Sequence, residues 1–499
     1  MPNKPPMLSK SRFLAGLQCP LRLWHQIYNP RLAAEVSPAQ QAIFDMGHDV
    51  GRAATRRYPQ GVLIDEDHLH HSQAVESTRK AMEGLFSPAV FEAAFVHDGI
   101  RVRVDILERS DWGKWNLIEV KSSTSVKEVH VPDLAVQYHV LRGLGVRVEK
   151  AGILHLNNQY VYDGKDLDLG QLFLFSDLTE QILEQQEEVL RRVNQLKEVL
   201  AADSPPAIQP SRHCWNPYLC EFWDHCTAGM PEYWIINLNG ITRRKLRELE
   251  ALGVKDIRDI PEEFSLNALQ ARIRTCLIEG KEFIDPGLTD ELGRVEYPLH
   301  FLDFETVGPA IPHYPHTRPF QTIPFQWSDY LLHADGTLEH REYLCAENKD
   351  SREEFTRTLL EALGEKGSIF IYTTYEKDLI ISLAEALPLY RERLLPLLDR
   401  FKDLHALIRR YFYHPQFHGS FSLKDVLPAL VPSMKYGRLA IQEGSMASLQ
   451  YLRMLDPATP SEEREKIKKD LLTYCGHDTL GMVRIREELL KRVCPPCTP

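Results

Sequence analysis

The chain has 499 residues, 43% of them hydrophobic and 26% charged, with a formal net charge of −11. That mixture excludes a collagen-like or mainly disordered protein, and no run approaches the ~18 consecutive apolar residues of a membrane span. The acidic balance disfavours a basic coat for nucleic acid. It still allows a nucleic-acid enzyme, which needs only a locally basic groove and whose metal-binding carboxylates push the total negative. At ~150 residues per domain the length predicts about three domains. The start, Met1-Pro-Asn-Lys-Pro-Pro, has no apolar core segment, so a secretory signal is not expected and the cytoplasm is. Nine cysteines are too few for a disulfide scaffold, yet Cys214, Cys220 and Cys226 cluster, which in a reducing compartment reads as metal ligation.

Along the chain, helical signals cover Ser9 to Trp24 and Pro38 to Tyr58. A strand-rich centre follows from about Val90 to Lys121. A long polar helix is predicted over Asp177 to Ala201, with Ser176 as N-cap and Ser204-Pro-Pro as its stop. The cysteine cluster closes this first region at residue 230. Residues 231–290 form a short helical connector. There Leu238-Asn-Gly-Ile-Thr-Arg-Arg-Lys-Leu and Leu252-Gly-Val resemble a helix-hairpin-helix, with Gly240 and Gly253 at the turns. Arg243, Arg244, Lys245 and Arg247 are either a solvated helix face or a phosphate contact. Residues 291–492 open with the strand Pro298–Glu305. They continue with a hairpin about Asp335-Gly336, a helix over Ser351–Leu363, a strand over Ser368–Thr373, a helix over Glu376–Leu387 and a mostly helical end. Residues 493–499, with Cys494 and Cys497, read as a frayed tail.

In Ile100-Arg-Val-Arg-Val-Asp-Ile-Leu-Glu, period two sets Asp105 opposite Val104 and Ile106. Ser110-Asp-Trp-Gly is turn chemistry, and Trp115-Asn-Leu-Ile-Glu-Val-Lys returns as a strand with Glu119 and Lys121 on one face. The hairpin brings Asp105 beside them. Two carboxylates suit Mg²⁺ or Mn²⁺, and Lys121 can position or activate an attacking water. A Glu-x-Lys alone is more ordinarily a surface ion pair. The set Asp105…Glu119-Val-Lys121 resembles the PD-(D/E)XK nuclease motif. Gly47-His48 resembles the motif that supplies a metal-ligating His in RecB-like nucleases, and Gln137 resembles the Gln of their Gln-x-x-x-Tyr motif, whose Tyr position is Leu141 here.

Cys19, followed by Pro20, precedes this core, and Cys214-x5-Cys220-x5-Cys226 follows it. The split pattern, with its flanks Gln18-Cys-Pro-Leu-Arg-Leu-Trp and Cys220-Glu-Phe-Trp-Asp-His-Cys, resembles the iron–sulfur exonucleases of the RecB-like group, including the CRISPR-associated and AddB types. The resemblance implies a 4Fe–4S cluster held by Cys19, Cys214, Cys220 and Cys226. Zinc suits four thiolates equally and stays open on spacing alone. Cys276, Cys345 and Cys475 read as ordinary buried cysteines.

His300-Phe-Leu-Asp-Phe-Glu-Thr sets Asp303 and Glu305 on one strand face, a costly pair unless metal-bound or ion-paired. Tyr474 and Asp478 share a helix face at i,i+4. Asp303-x-Glu305 with Tyr474-x-x-x-Asp478 resembles the DnaQ-like 3′–5′ exonucleases of RNase H-like fold, in their Tyr variant. Their middle acid is best matched by Glu376 in Tyr372-Thr-Thr-Tyr-Glu, with Asp378 as the fallback. Asp403 and the Gly419-to-Lys424 stretch resemble segments of uncharacterised bacterial proteins with this pair of domains.

The expected fold is therefore α/β: a restriction-endonuclease-like domain over 1–230, a helical connector over 231–290 and an RNase H-like domain over 291–492. The resemblance implies a metal-dependent nuclease with two active sites, acting on single-stranded DNA ends in repair, processing or defence, with RNA as the runner-up substrate. Mg²⁺ or Mn²⁺ is expected at His48, Asp105 and Glu119 and again at Asp303, Glu305 and Asp478, and no membrane partner is. The chain carries no phosphate-binding Gly-x-x-x-x-Gly-Lys-[Ser/Thr] loop, so a helicase would be a partner. The rival reading is a non-catalytic iron–sulfur module that binds nucleic acid through degenerate sites.

Overall fold

The computed structural model describes residues 6–84, 87–111 and 113–493. Trp112 of the predicted turn and the Cys494–Cys497 pair lie outside them. The fold is mixed α/β. By internal contacts the chain divides into two units. One comprises residues 1–229 and 309–321, the other 230–308 and 322–499. Among the described residues no helix is long and apolar enough to cross a membrane.

Unit 1 is built on one sheet. Its strands are β1 (Leu8–Ser9), β2 (Val62–Leu63), β3 (Ala89–His97), β4 (Ile100–Asp111), β5 (Lys114–Lys121), β6 (Arg147–Leu156) and β7 (Phe173–Asp177), in the order β2-β3-β4-β5-β6-β7 with β1 parallel to β4. The hairpins β3–β4 and β4–β5 are antiparallel, and β6 then lies parallel to β5. A parallel neighbour needs a crossover, and a helix over His130–Gly143 supplies it. This crossover helix buries Leu134, Val136, Val140 and Leu141 with Leu117 and Ile153 of the sheet. A second cluster joins Val50 and Ala54 of a helix over Pro38–Thr55 to Ile118 and Leu154. At the N-terminus the chain turns from β1 into helix α1 (Lys10–Gln18), with Ser9 accepting from the Arg12 N–H, and then into a helix over Pro20–Tyr28.

The long helix predicted from Asp177 breaks in two, Thr179–Glu184 and Gln186–Ala201. Ser176 is not its cap. It pairs with Ile153 inside β7, and the cap position falls to Leu178 with no side-chain hydrogen bond. Sheet pairing here overrides a good local capping signal.

Unit 2 begins with the connector. Gly240 and Gly253 take φ +68° and +75°, left-handed values that suit glycine, and they flank a helix over Arg243–Ala251 capped by Thr242. Arg243, Arg244 and Arg247 are exposed along it. The short pair β8 (Phe283–Ile284) and β14 (Phe412–Tyr413) is antiparallel. The main sheet holds β9 (Leu299–Val307), β10 (Ile323–Leu332), β11 (Leu338–Leu344), β12 (Ser368–Ile371) and β13 (Phe401–Asp403) in the order β11-β10-β9-β12-β13. Strands β9, β10 and β11 are antiparallel, as the Asp335-Gly336 turn implies, while β12 and β13 are parallel to β9 and to each other. A helix over Arg352–Leu363 precedes β12 and one over Tyr375–Ala386 follows it, and both pack Phe355, Leu359, Leu379 and Ile380 against the sheet. The final helix, Ser461–Val493, buries Tyr474, Cys475 and Asp478.

Candidate functional site

In unit 1, Val102, Val104 and Ile106 of β4 are buried on one side while Asp105 alternates to the other. The β4–β5 register, Ile106 against Ile118, sets Asp105 beside Glu119, and Asp105 Oδ2 accepts the Val120 N–H at 2.7 Å. Glu119 is 2% exposed and heavily bonded. Its Oε1 accepts from Lys121 Nζ at 2.7 Å and from Lys10 Nζ at 2.8 Å. Its Oε2 accepts from Lys10 Nζ at 2.9 Å and from Gln137 Nε2 at 2.7 Å. Lys121 also donates to Asp133 Oδ2 at 2.5 Å.

Three members of this cluster carry no sequence motif. Asp133 lies one turn before Gln137 on the His130–Gly143 helix, so their side chains meet. Lys10 opens α1, far from the core strands in sequence. Glu92 interrupts the apolar run of β3, takes φ +54° and adds negative charge beside Asp105. The lone acid in Ala89-Val-Phe-Glu-Ala-Ala-Phe was a usable signal. His48 is exposed on the Pro38–Thr55 helix, and its ring acts electrostatically on Glu92. Leu141, at the Tyr position of the Gln-x-x-x-Tyr pattern, is wholly buried in the core.

Burial and the neighbouring Glu119 charge push the Asp105 carboxyl up to about 7, with Lys10 and Lys121 opposing. Burial also penalises charge on Glu119, but Lys10 and Lys121 outweigh it and hold that carboxyl well below the usual range. Burial and Glu119 raise Asp133. The pocket thus holds more carboxylate than two ammonium groups neutralise comfortably, and a divalent cation fits that deficit.

Cys19, Cys214, Cys220 and Cys226 line one pocket of the same unit. Cys19 sits between α1 and the Pro20–Tyr28 helix. Cys214 ends a short 3₁₀ turn, and its carbonyl accepts the Cys220 N–H at 2.6 Å. Side chains stitch the two ends together around it. Gln18 Nε2 donates to the carbonyls of His213 and Tyr218 at 2.8 and 2.7 Å, while Arg22 and Gln26 donate to the Glu221 carboxylate at 2.8 and 2.7 Å. Burial raises the thiols of Cys214 and Cys226, and that of Cys220 to about 11. A zinc ion with ~2.3 Å bonds would hold its sulfurs ~3.8 Å apart. Four thiolates suit either that ion or an iron–sulfur cluster.

In unit 2, Asp303 and Glu305 share the face of β9 that meets the final helix. Cys475 Sγ approaches Asp303 Oδ2 at 3.6 Å, so this cysteine is part of the acidic site rather than ordinary core. Tyr436, which the sequence did not single out, donates its hydroxyl to Asp478 Oδ1 at 2.5 Å, and Tyr474 hydrogen-bonds the same carboxylate. Glu376 is 3% exposed at the start of its helix and hydrogen-bonds Asp303, with Oε2 buried and unpartnered. Asp378 faces out. The approach to Glu376 is tight: Thr373 takes φ +97°, a conformation that costs a non-glycine residue about 1–3 kcal/mol. Asp403 caps the Leu404–Tyr411 helix through the Ala406 N–H and adds charge near Glu376. Lys424 is exposed and draws electrostatically on Glu305 and Asp478.

Burial, then the Asp478 charge, pushes Asp303 up to about 8. Burial with Asp303 and Asp478 drives Glu305 well above its usual range, and burial with Asp303 does the same to Glu376. Asp478 rises to about 6 by burial, against its tyrosine hydrogen bonds. Four crowded carboxyl groups, one with an unsatisfied buried oxygen, form a donor set suited to divalent cations.

Nothing among curated proteins matches the chain. A family model described as a domain of unknown function (DUF2779) matches residues 300–422. The similarity spans Asp303, Glu305 and Glu376 and stops before Tyr474 and Asp478.

Proposed function

We propose that this protein is a metal-dependent nuclease with two active centres, one per unit, that hydrolyses phosphodiester bonds of DNA from single-stranded ends. The carrying observation is that each unit gathers carboxylates from distant parts of the chain into a buried, cation-deficient cluster. Asp105 and Glu119 stand beside Lys121 in one, and Asp303, Glu305, Glu376 and Asp478 stand beside Tyr474 in the other. Arrangement and strand order support a PD-(D/E)XK reading of unit 1 and an RNase H-like reading of unit 2. Mg²⁺ or Mn²⁺ held by these acids, with His48 at the edge of the first set, would neutralise charge on the phosphate and lower the pKa of a bound water.

The protein's own groups do the positioning. Lys121, fixed between Glu119 and Asp133, presents an ammonium to the attacked phosphate and orients water. Gln137 locks the Glu119 carboxylate in one rotamer. Tyr474 and Tyr436 fix Asp478, and the Tyr474 hydroxyl is placed to hold a water. The convergence of Cys19, Cys214, Cys220 and Cys226 on one pocket, with flanks that resemble the iron–sulfur exonucleases, supports a 4Fe–4S cluster acting as a tie between the two ends of the unit. RNA is the second substrate class, and a helicase of a repair or defence system is the partner class that would feed such a nuclease strands.

The test is degradation of 5′- and 3′-labelled DNA and RNA strands with Mg²⁺ or Mn²⁺. Lys121→Ala and Asp303→Ala should each remove a different activity, and the double variant both. Full activity in the double variant would overturn the reading. Strand binding without cleavage by the native protein would favour a binding module.

A further inference from the structure

Lys10 has no part in the chemistry above, yet it sits at the centre of the first acidic cluster. Its ammonium reaches both oxygens of Glu119, at 2.8 and 2.9 Å, and approaches Asp133 Oδ1 at 3.4 Å. A single cation that bridges two carboxylates is the arrangement a bound metal ion makes. Glu119 then has no open position: Lys10 and Lys121 fill one oxygen, and Lys10 and Gln137 fill the other. A divalent cation takes this carboxylate only if a donor leaves.

Of the three donors, Lys10 is the one built to leave. Lys121 is held between Glu119 and Asp133 at 2.7 and 2.5 Å, and Gln137 is fully buried on the His130–Gly143 helix. Lys10 has the same four-carbon arm as Lys121, but it extends from the first residue of α1, and its contact to Asp133, at 3.4 Å, is the long one. Its backbone is pinned, because Leu8 and Ser9 pair with Ile100 and Arg101 of β4 and Ser9 caps α1. Only the side chain has to move, by rotamer change.

We propose that Lys10 is a displaceable internal cation of the unit 1 centre. It holds Glu119 and Asp133 in the metal-free protein, competes with the divalent ion for Glu119, and so sets how much of that ion the centre requires. This rests on the reading of Asp105 and Glu119 as a metal centre. When a binding-competent state is only fractionally populated, apparent affinity falls by that fraction, so an inward Lys10 populated about nine-tenths of the time weakens the ion's affinity about tenfold.

The experiment is calorimetric titration of Mn²⁺ into the full-length, cluster-loaded, metal-free chain carrying Asp303→Asn to disable the second centre. Lys10→Met should bind Mn²⁺ about tenfold tighter than the Lys10 chain and should melt lower without metal, since two buried carboxylates lose one of their two counter-ions, with the deficit closing as Mn²⁺ is added. Lys10→Arg should restore the metal-free melting point and the weaker binding. If Lys10→Met fails to fold, Lys10→Gln, which keeps a donor but no charge, reads the same affinity. Unchanged or weaker Mn²⁺ binding in the neutral variants overturns the proposal. If neither the Lys10 chain nor its variants bind Mn²⁺, the metal-centre reading itself fails.

Discussion

Glu376 and Asp378 stand two residues apart at the start of one helix, and about 100° per residue sends them to different faces. The first is buried against Asp303 and the second is in solvent, so under the proposed function Glu376→Gln should cut the nuclease activity proposed for unit 2 at least about 100-fold. Asp378→Asn should leave it within about twofold. Steady-state degradation rates in a Lys121→Ala background read both. Asp303 carries a second expectation. Burial and the Asp478 charge push its folded carboxyl up to about 8, far above that of an unfolded aspartate. At pH below about 4 both states hold the proton and no penalty exists. Between about 4 and 8 the unfolded chain releases the proton while the folded one keeps it, so metal-free stability falls as pH rises. Asp303→Asn should therefore stabilise metal-free unit 2 by roughly 1–3 kcal/mol at pH 8 and by little at pH 4. Hydrogen exchange of the β9 and β10 amides measures it, and saturating Mn²⁺ should erase the gain. Residues such as Asp105, Glu119 and Asp303 were legible because strand period two assigns a face to every position. Lys10 and Tyr436 were not, because their contacts cross long sequence separations that no local pattern encodes.

The N-terminal helices and the cysteine segment are joined by two systems at once, the cysteine pocket and the hydrogen bonds of Gln18, Arg22 and Gln26. This redundancy separates assembly from reinforcement. If the pocket holds the proposed iron–sulfur cluster, Cys220→Ser should lose its iron yet keep the unit folded, because the polar clasp persists. Unit 1 should lose roughly 2–4 kcal/mol, the scale of a cross-link that closes a long loop. Iron content and unit-resolved hydrogen exchange check it, and loss confined to unit 2 would contradict the tie. Element boundaries were legible where a local signal met no competitor: the helical signal that opens at Ser9 starts at Lys10 with Ser9 as its cap, and the helix read over Ser351–Leu363 runs Arg352–Leu363. At Ser176 the capping signal lost to pairing with β6, a competition decided by tertiary structure.

At the scale of the whole chain, the least legible feature was residues 309–321. In sequence they connect β9 to β10 of unit 2, yet their contacts belong to unit 1. Ala310, Ile311 and Phe320 join the cluster of Val50, Ala54 and Ile118. His316 N–H donates to the Tyr162 carbonyl at 2.8 Å, and Tyr162 N–H donates to the Thr317 carbonyl at 3.0 Å. His316 and Phe320 also hold φ of +61° and +59°, left-handed values that a bulky residue keeps only when its surroundings enforce them. Composition and periodicity assign such a segment to the strands it follows, since nothing local says where an irregular loop will dock. The segment behaves as part of the unit 1 core, so the consequence of removing it should fall there. Replacing residues 309–321 with a glycine–serine linker of equal length should cost unit 1 roughly 2–4 kcal/mol by exposing apolar surface around Ala54 and Tyr58. Protection of the β5 and β6 amides should fall accordingly, while that of β9 and β10 holds. Unchanged β5 and β6 protection would show that the segment rests on unit 1 without supporting it.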